Sequence, residues 1–98
     1  MCGIIGITSS KPVSSAIINS LRKLEYRGYD SAGIATLSDG VINEVKSEGR
    51  VDNLEKNLVI KNMSGSVGIG HVRWATHGIP NTINAHPHSS ENVSIVHN

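Results

Sequence analysis

The sequence predicts an α+β domain, and three observations carry that expectation. Strand-like apolar runs outnumber helical stretches, the helical stretches are inserted between them, and an Asp-Gly pair separates two of the runs as a hairpin signal. At 98 residues the chain is one domain at most, or part of one. Its apolar fraction is 38%, and with no phenylalanine and only Trp74, Tyr26 and Tyr29 as aromatics, the core must be mainly aliphatic.

The elements follow in order. Gly3 to Thr8 is a short Ile-rich run that reads as a buried strand, holding Cys2 at the end of a rigid element. Ser9, Ser10 and Pro12 suit a helix start. Val13, Ala16, Ile17, Leu21 and Leu24 then recur at spacings of three and four, which places them on one helix face. Arg22 and Lys23 lie near the C-terminal end, where cations are favoured, and Gly28 stops the helix. Tyr26 to Gly33 reads as a glycine-punctuated loop. Ala32–Leu37 and Val41–Lys46 form the hairpin around Asp39-Gly40, and Glu48 to Arg50 is a break. Val51, Leu54 and Leu58 predict a short helix, Lys61–Gly65 a loop, and Ser66 to Val72 an alternating strand. Gly65, Gly68 and Gly70 lack the Lys-Ser/Thr ending of a phosphate loop, so close backbone packing is the better reading. Arg73 to Pro80 leaves as a loop, Asn81 to Asn92 is polar, and Val93–His97 is a last strand.

Composition narrows the function. The net charge is +1, with nine basic and eight acidic residues mixed along the chain, so nothing points to nucleic acid or to a charged membrane surface. One cysteine cannot close an internal disulfide, which fits a reducing compartment. Neither a signal-peptide pattern nor a stretch of about 20 apolar residues is present, and a cytoplasmic soluble protein is expected.

The residue with the most chemistry is Cys2. Removal of Met1 would leave it carrying both a thiol and a free α-amine. An α-amine has a pKa of about 7.7–8.0 and a free thiol about 8.5, so the amine can take the thiol's proton near neutral pH. The competing reading is a buried apolar filler. A second cluster gathers His71, Arg73, Thr76 and His77 around Trp74. Arg73 can grip a carboxylate through two parallel bonds while Thr76 and His77 add donors; alternatively Arg73 packs over Trp74 as a cation–π pair. His86-Pro87-His88 with His71, His77 and His97 raises zinc, but no recognised ligand spacing appears, and hydrogen-bonding histidines are preferred. Asn98 can donate to an oxyanion. Asp30 and Ser31 read as a turn or cap rather than part of a triad.

Five blocks then stand together: Met1-Cys2-Gly3-Ile4, Leu24 to Gly33, Arg73-Trp74-Ala75-Thr76-His77-Gly78, Asn84-Ala85-His86-Pro87-His88 and Val96-His97-Asn98. In this order they resemble the start of the glutamine–fructose-6-phosphate aminotransferase (isomerizing) family, over the whole chain and least between Ser38 and Ser64. The resemblance implies an N-terminal-nucleophile hydrolase αββα sandwich of which only the first portion is present. Residues 1–98 are then part of a glutamine amidotransferase type-2 domain, with the sugar-phosphate isomerase domain outside this chain. It implies Cys2 as nucleophile on the glutamine side-chain amide and Asn98 as oxyanion donor. Arg73, with Trp74, Thr76 and His77, is then the glutamine site. Arg27 and Tyr29 support the Cys2 end, and His86 and His97 have structural roles nearby. The implied partners are glutamine and, through the other domain, fructose 6-phosphate, in a homo-oligomer that needs no cofactor or metal. The fragment alone is expected to be inactive, and its final strand to leave an exposed sheet edge. The alternatives are the glutaminase part of another N-terminal-cysteine amidotransferase, or an inactive truncated module.

Overall fold

The computed structural model describes residues 1–57, 60 and 62–98. Leu58, expected on the second helix, and Lys61, expected to open a loop, lie outside the described residues. The elements are β1 (Gly3–Thr8), α1 (Ser14–Leu24), a 3-10 turn (Glu25–Arg27), β2 (Ser31–Ser38), β3 (Val41–Glu48), α2 (Val51–Glu55), β4 (Val67–Arg73), β5 (His88–Ser89) and β6 (Ser94–Ile95). β1 to β4 form one antiparallel sheet in the order β1-β4-β2-β3, and β5 pairs with β6. The mixed α+β class expected from the sequence is therefore the class observed.

Residue alternation gives the large sheet two different faces. Gly3 stands opposite Val72, Ala32 opposite Val72, and Ile34 opposite both Gly70 and Val45. These positions look toward α1 and α2, and the buried cluster consists of Val13, Ile17, Ile18, Leu21, Ala32, Ile34, Val45, Val51, Leu54, Ile60, Met63 and Val72. The helix rests directly on the backbone of β4. A Cβ at Gly70 would lie 2.5 Å from Ile17 Cγ2, and one at Gly68 would lie 2.7 Å from Ile17 Cδ1. Close packing, not anion binding, accounts for those glycines. In the β2–β3 hairpin, Asp39 and Gly40 have φ of 51° and 75°. Positive φ at both central residues matches the twist of the flanking strands.

The other face carries Ile4, Gly33, Lys46, His71 and Arg73, and the segment from Trp74 to Asn98 lies against it. Gly33 makes that approach possible, because a Cβ there would collide with the His86 carbonyl and would lie 2.9 Å from Pro87 Cδ. The His86–Pro87 peptide is cis. Lys46 Nζ donates to the Ile83 carbonyl at 3.4 Å, and Ser89 Oγ donates to Glu44 Oε2. One face of the sheet thus buries the core, and the other positions the polar segment.

Several sequence expectations need correction. Among the described residues β1 is an edge strand rather than a buried one: its partner there is β4, and Ile4 is 43% exposed on the face away from α1. The helix begins at Ser14, so Pro12 lies outside it, and Ser9 Oγ accepts from the Lys11 N–H at 3.2 Å instead of capping. Ala16 faces solvent while Ile18 is buried, because the stripe through Ile17 and Leu21 widens on the Ile18 side. Tyr26 and Arg27 form part of the 3-10 turn rather than a loop. The last strand spans only Ser94–Ile95, and it has a partner in β5, within a stretch expected to be irregular. Two-residue strands give too short an alternation for the sequence to display.

Candidate active site

Cys2 sits one residue before β1, and the pairing of Gly3 with Val72 brings it to the C-terminal end of β4. There the Trp74 N–H donates to Cys2 Sγ at 3.4 Å, and the thiol faces the Trp74 carbonyl at 3.9 Å. Arg27 Nε donates to the Cys2 carbonyl at 2.9 Å and its guanidinium reaches Met1 Sδ at 3.7 Å. From 96 residues away, Asn98 Oδ1 accepts the Cys2 backbone N–H at 3.0 Å. With that oxygen accepting an N–H, the donors of the Asn98 side chain are those of its NH2 group.

Trp74, which contacts Cys2, also lines a cleft of about 440 Å³ with Tyr29, Asp30, Ala75, Thr76, Gly78 and Pro80; Cys2 itself is not in that lining. Trp74 and Thr76 stand in its wall, as a binding role would require. Tyr29 meets Trp74 edge to face with ring centroids 6.2 Å apart, and Arg50 lies over the Tyr29 ring at 4.7 Å. The cation–π pair considered for Arg73 and Trp74 is thus made by Arg50 and Tyr29. Arg73 is buried beneath the loop, 7% exposed, and does not line the cleft. Its guanidinium donates to the Ile79 carbonyl at 3.2 Å and to the His77 carbonyl. His77 contributes that carbonyl, while its side chain is outside the cleft lining and exposed.

Asp30 is the residue that sequence reasoning undervalued. Its Oδ2 accepts the Ala75 N–H at 2.5 Å, its Oδ1 accepts from Ser31 Oγ at 3.0 Å, and its own N–H donates to the Arg73 carbonyl at 3.2 Å. One carboxylate therefore pins the start of the cleft loop to the start of β2. A turn-forming Asp-Ser pair gave no sign of a partner 45 residues away.

The histidines gather on the same sheet face. His71 is fully buried in β4 and donates from Nε2 to the His97 carbonyl at 2.7 Å. His86 stacks on it, ring centroids 4.3 Å apart and 16° from parallel, and accepts the His97 N–H on Nδ1 at 3.2 Å. His88 packs against His86 at 4.5 Å. Among the described residues, no group of three or more His, Cys, Asp or Glu is placed to hold a metal ion. Also among these residues, no helix is long and apolar enough to cross a membrane.

Burial pushes the His71 imidazole below its ordinary value; Arg73 and His88 push the same way, against the His97 carbonyl and Asp30. Burial also lowers His86, to about 4, helped by His71, His88, Arg73 and His97. Both rings are therefore neutral at pH 7. The unfolded chain binds more protons than the folded one between the two values, so stability falls with acid. The contribution is complete above the ordinary 6.5 and is lost as pH falls through about 4. Urea midpoints measured from pH 7 to pH 4 should decline, and a His86→Asn variant should show a shallower decline. Equal slopes in the two proteins would contradict it.

No protein-family model matches the chain. It is similar over all its residues to the glutamine–fructose-6-phosphate aminotransferase (isomerizing) of Agrobacterium fabrum, at 53% identity over 98 residues. The enzyme of the same name from Clostridium acetobutylicum is 55% identical over 100 aligned residues. The chain spans about a sixth of these curated relatives, 16% of their length. Among solved structures, the glutamine phosphoribosylpyrophosphate amidotransferase of B. subtilis, complexed with ADP and GMP, matches with a TM-score of 0.77 and 26% identity. That match covers 96% of this chain and 20% of the other. A structure described as the allosteric regulatory enzyme of purine biosynthesis matches at 0.78, covering 89% of this chain and 18% of that one. The fold is thus the amino-terminal portion of the N-terminal-nucleophile glutamine amidotransferase fold.

Proposed function

From the full-length similarity of this chain to the opening sixth of glutamine–fructose-6-phosphate aminotransferases, we propose that residues 1–98 are the first part of a glutamine-hydrolysing domain. The observation that carries the reading is the contact of Asn98 Oδ1 with the Cys2 nitrogen, beside a sulfur that opens toward the Trp74 loop. With Met1 removed, that nitrogen is an amine on the same residue as the thiol.

The amine takes the thiol's proton, and the thiolate attacks the side-chain amide carbon of glutamine. A C–S bond forms as the carbonyl π pair moves onto oxygen, and the Asn98 NH2 group donates to that oxyanion. The proton held by the amine passes to the leaving nitrogen, the C–N bond breaks, and ammonia departs. Water, deprotonated by the same amine, then attacks the γ-glutamyl thioester; glutamate leaves and the thiol is restored. Trp74 and Thr76, in the cleft wall, meet the glutamine α-carboxylate end. Arg73 and His77, outside the lining, act through the loop that carries them, whose shape the Arg73 guanidinium sets by donating to the His77 and Ile79 carbonyls. Arg27 anchors the Cys2 carbonyl, and Tyr29 buttresses Trp74.

In the longer protein the ammonia aminates fructose 6-phosphate, held by a separate isomerase domain, to give glucosamine 6-phosphate. That protein is a cytoplasmic homo-oligomer and needs no cofactor. An electrophilic glutamine analogue is expected to add once, at Cys2, in protein whose intact mass shows Met1 removed. Label on another side chain, or full glutaminase activity with Met1 retained, would overturn the reading.

A further inference from the structure

We propose that His71 and His86 are positioning residues: together they grip both backbone polar groups of His97 and thereby hold Asn98 against Cys2. The proposal rests on the glutaminase reading above and goes beyond a general structural role for His86. The two rings come from different parts of the fold, one from β4 and one from the segment laid over Gly33. They act on opposite ends of one residue, His71 Nε2 donating to the His97 carbonyl and His86 Nδ1 accepting the His97 N–H. The next residue along the chain is Asn98, whose side chain meets the Cys2 nitrogen.

Nothing in the two-residue β5–β6 ladder reaches this far, because β6 ends at Ile95. The backbone leading to Asn98 is therefore held by the imidazoles. The arrangement demands complementary tautomers. His71 must carry its proton on Nε2, and its Nδ1 is buried with no partner among the described residues. His86 must leave Nδ1 bare. Stacking of the rings, 16° from parallel, keeps both nitrogens aimed at the same residue. The groups facing His71 are Arg73, Asp30 and His88, and those facing His86 are His71, His88, Arg73 and His97. Burial, with the Arg73 charge adding to it, holds both rings in the neutral state that the grip requires.

The test uses the full-length protein and separates rate from binding. His86→Leu and His71→Leu remove the grip; His86→Asn keeps an acceptor near the Nδ1 position, and His71→Gln keeps a donor near Nε2. The leucine variants should lower kcat for glutamine hydrolysis by about 10-fold or more, bounded by the roughly 10²–10³ that losing an oxyanion donor costs. KM for glutamine should stay within about twofold, since uniform binding is untouched. The Asn and Gln variants should recover most of kcat. Because His71 is fully buried, amide exchange of the peptide ending at Asn98 provides a second readout. Exchange there should quicken in His86→Leu while the β4 peptide stays protected. Wild-type kcat in His86→Leu, a loss confined to KM, or an Asn variant as impaired as the Leu variant would overturn the proposal. Glutamine hydrolysis surviving in Cys2→Ala would instead sink the underlying reading.

Discussion

Replacing Cys2 with alanine is expected to reduce glutamine hydrolysis by about 10⁶-fold, the scale seen when a hydrolase loses its nucleophile. The fold should tolerate the change. Cys2 is only half-buried, and its two anchoring contacts to Arg27 and Asn98 are made by its backbone, which alanine retains. Product formation from added ammonia should therefore persist in the full-length protein while formation from glutamine disappears. Parallel assays with the two nitrogen donors check this directly. Glutamine-dependent product at even a hundredth of the wild-type rate would mean that another group attacks the amide.

The second large effect is at Asn98. Truncation to alanine removes both the acceptor that orients the Cys2 nitrogen and the NH2 group assigned to the oxyanion. Loss of one such donor costs about 10²–10³ in kcat. Asn98→Ala should show that loss with KM for glutamine little changed. Asn98→Asp separates the two roles, because a carboxylate still accepts from the Cys2 nitrogen but has no hydrogen to donate. It should be no faster than Asn98→Ala. An Asp variant near wild-type activity would remove Asn98 from the oxyanion site and leave it as an orienting acceptor.

The parts of the molecule legible in the sequence are those governed by near neighbours. Ile17, Leu21 and Leu24 mark a helix by spacing, Asp39-Gly40 marks a turn by its tolerance of positive φ, and the Ile-rich run after Cys2 marks a strand. Chemistry carried by one residue was legible for the same reason: a thiol behind an initiator methionine needs no partner to be noticed. Burial was less legible. Ile4 and Ile5 look alike in the sequence, yet alternation along β1 turns Ile5 toward the core under α1 and leaves Ile4 exposed on the other face. His71 and Arg73, two apart on one strand, could have been paired by strand alternation, which would have placed both opposite the helix.

By itself, then, the sequence determined the first helix, the hairpin turn and Cys2 as the candidate nucleophile, because propensity, periodicity and turn chemistry act over a few residues. Tertiary structure alone decided that Asp30 staples the loop at Ala75, that Arg73 spends donors on the His77 and Ile79 carbonyls, and that two histidines seize the backbone of a third. It also decided that Asn98 meets Cys2 across 96 residues of chain. Such contacts depend on which sheet face each residue occupies and on how closely a glycine lets two backbones approach, and both are fixed only when the strands have paired.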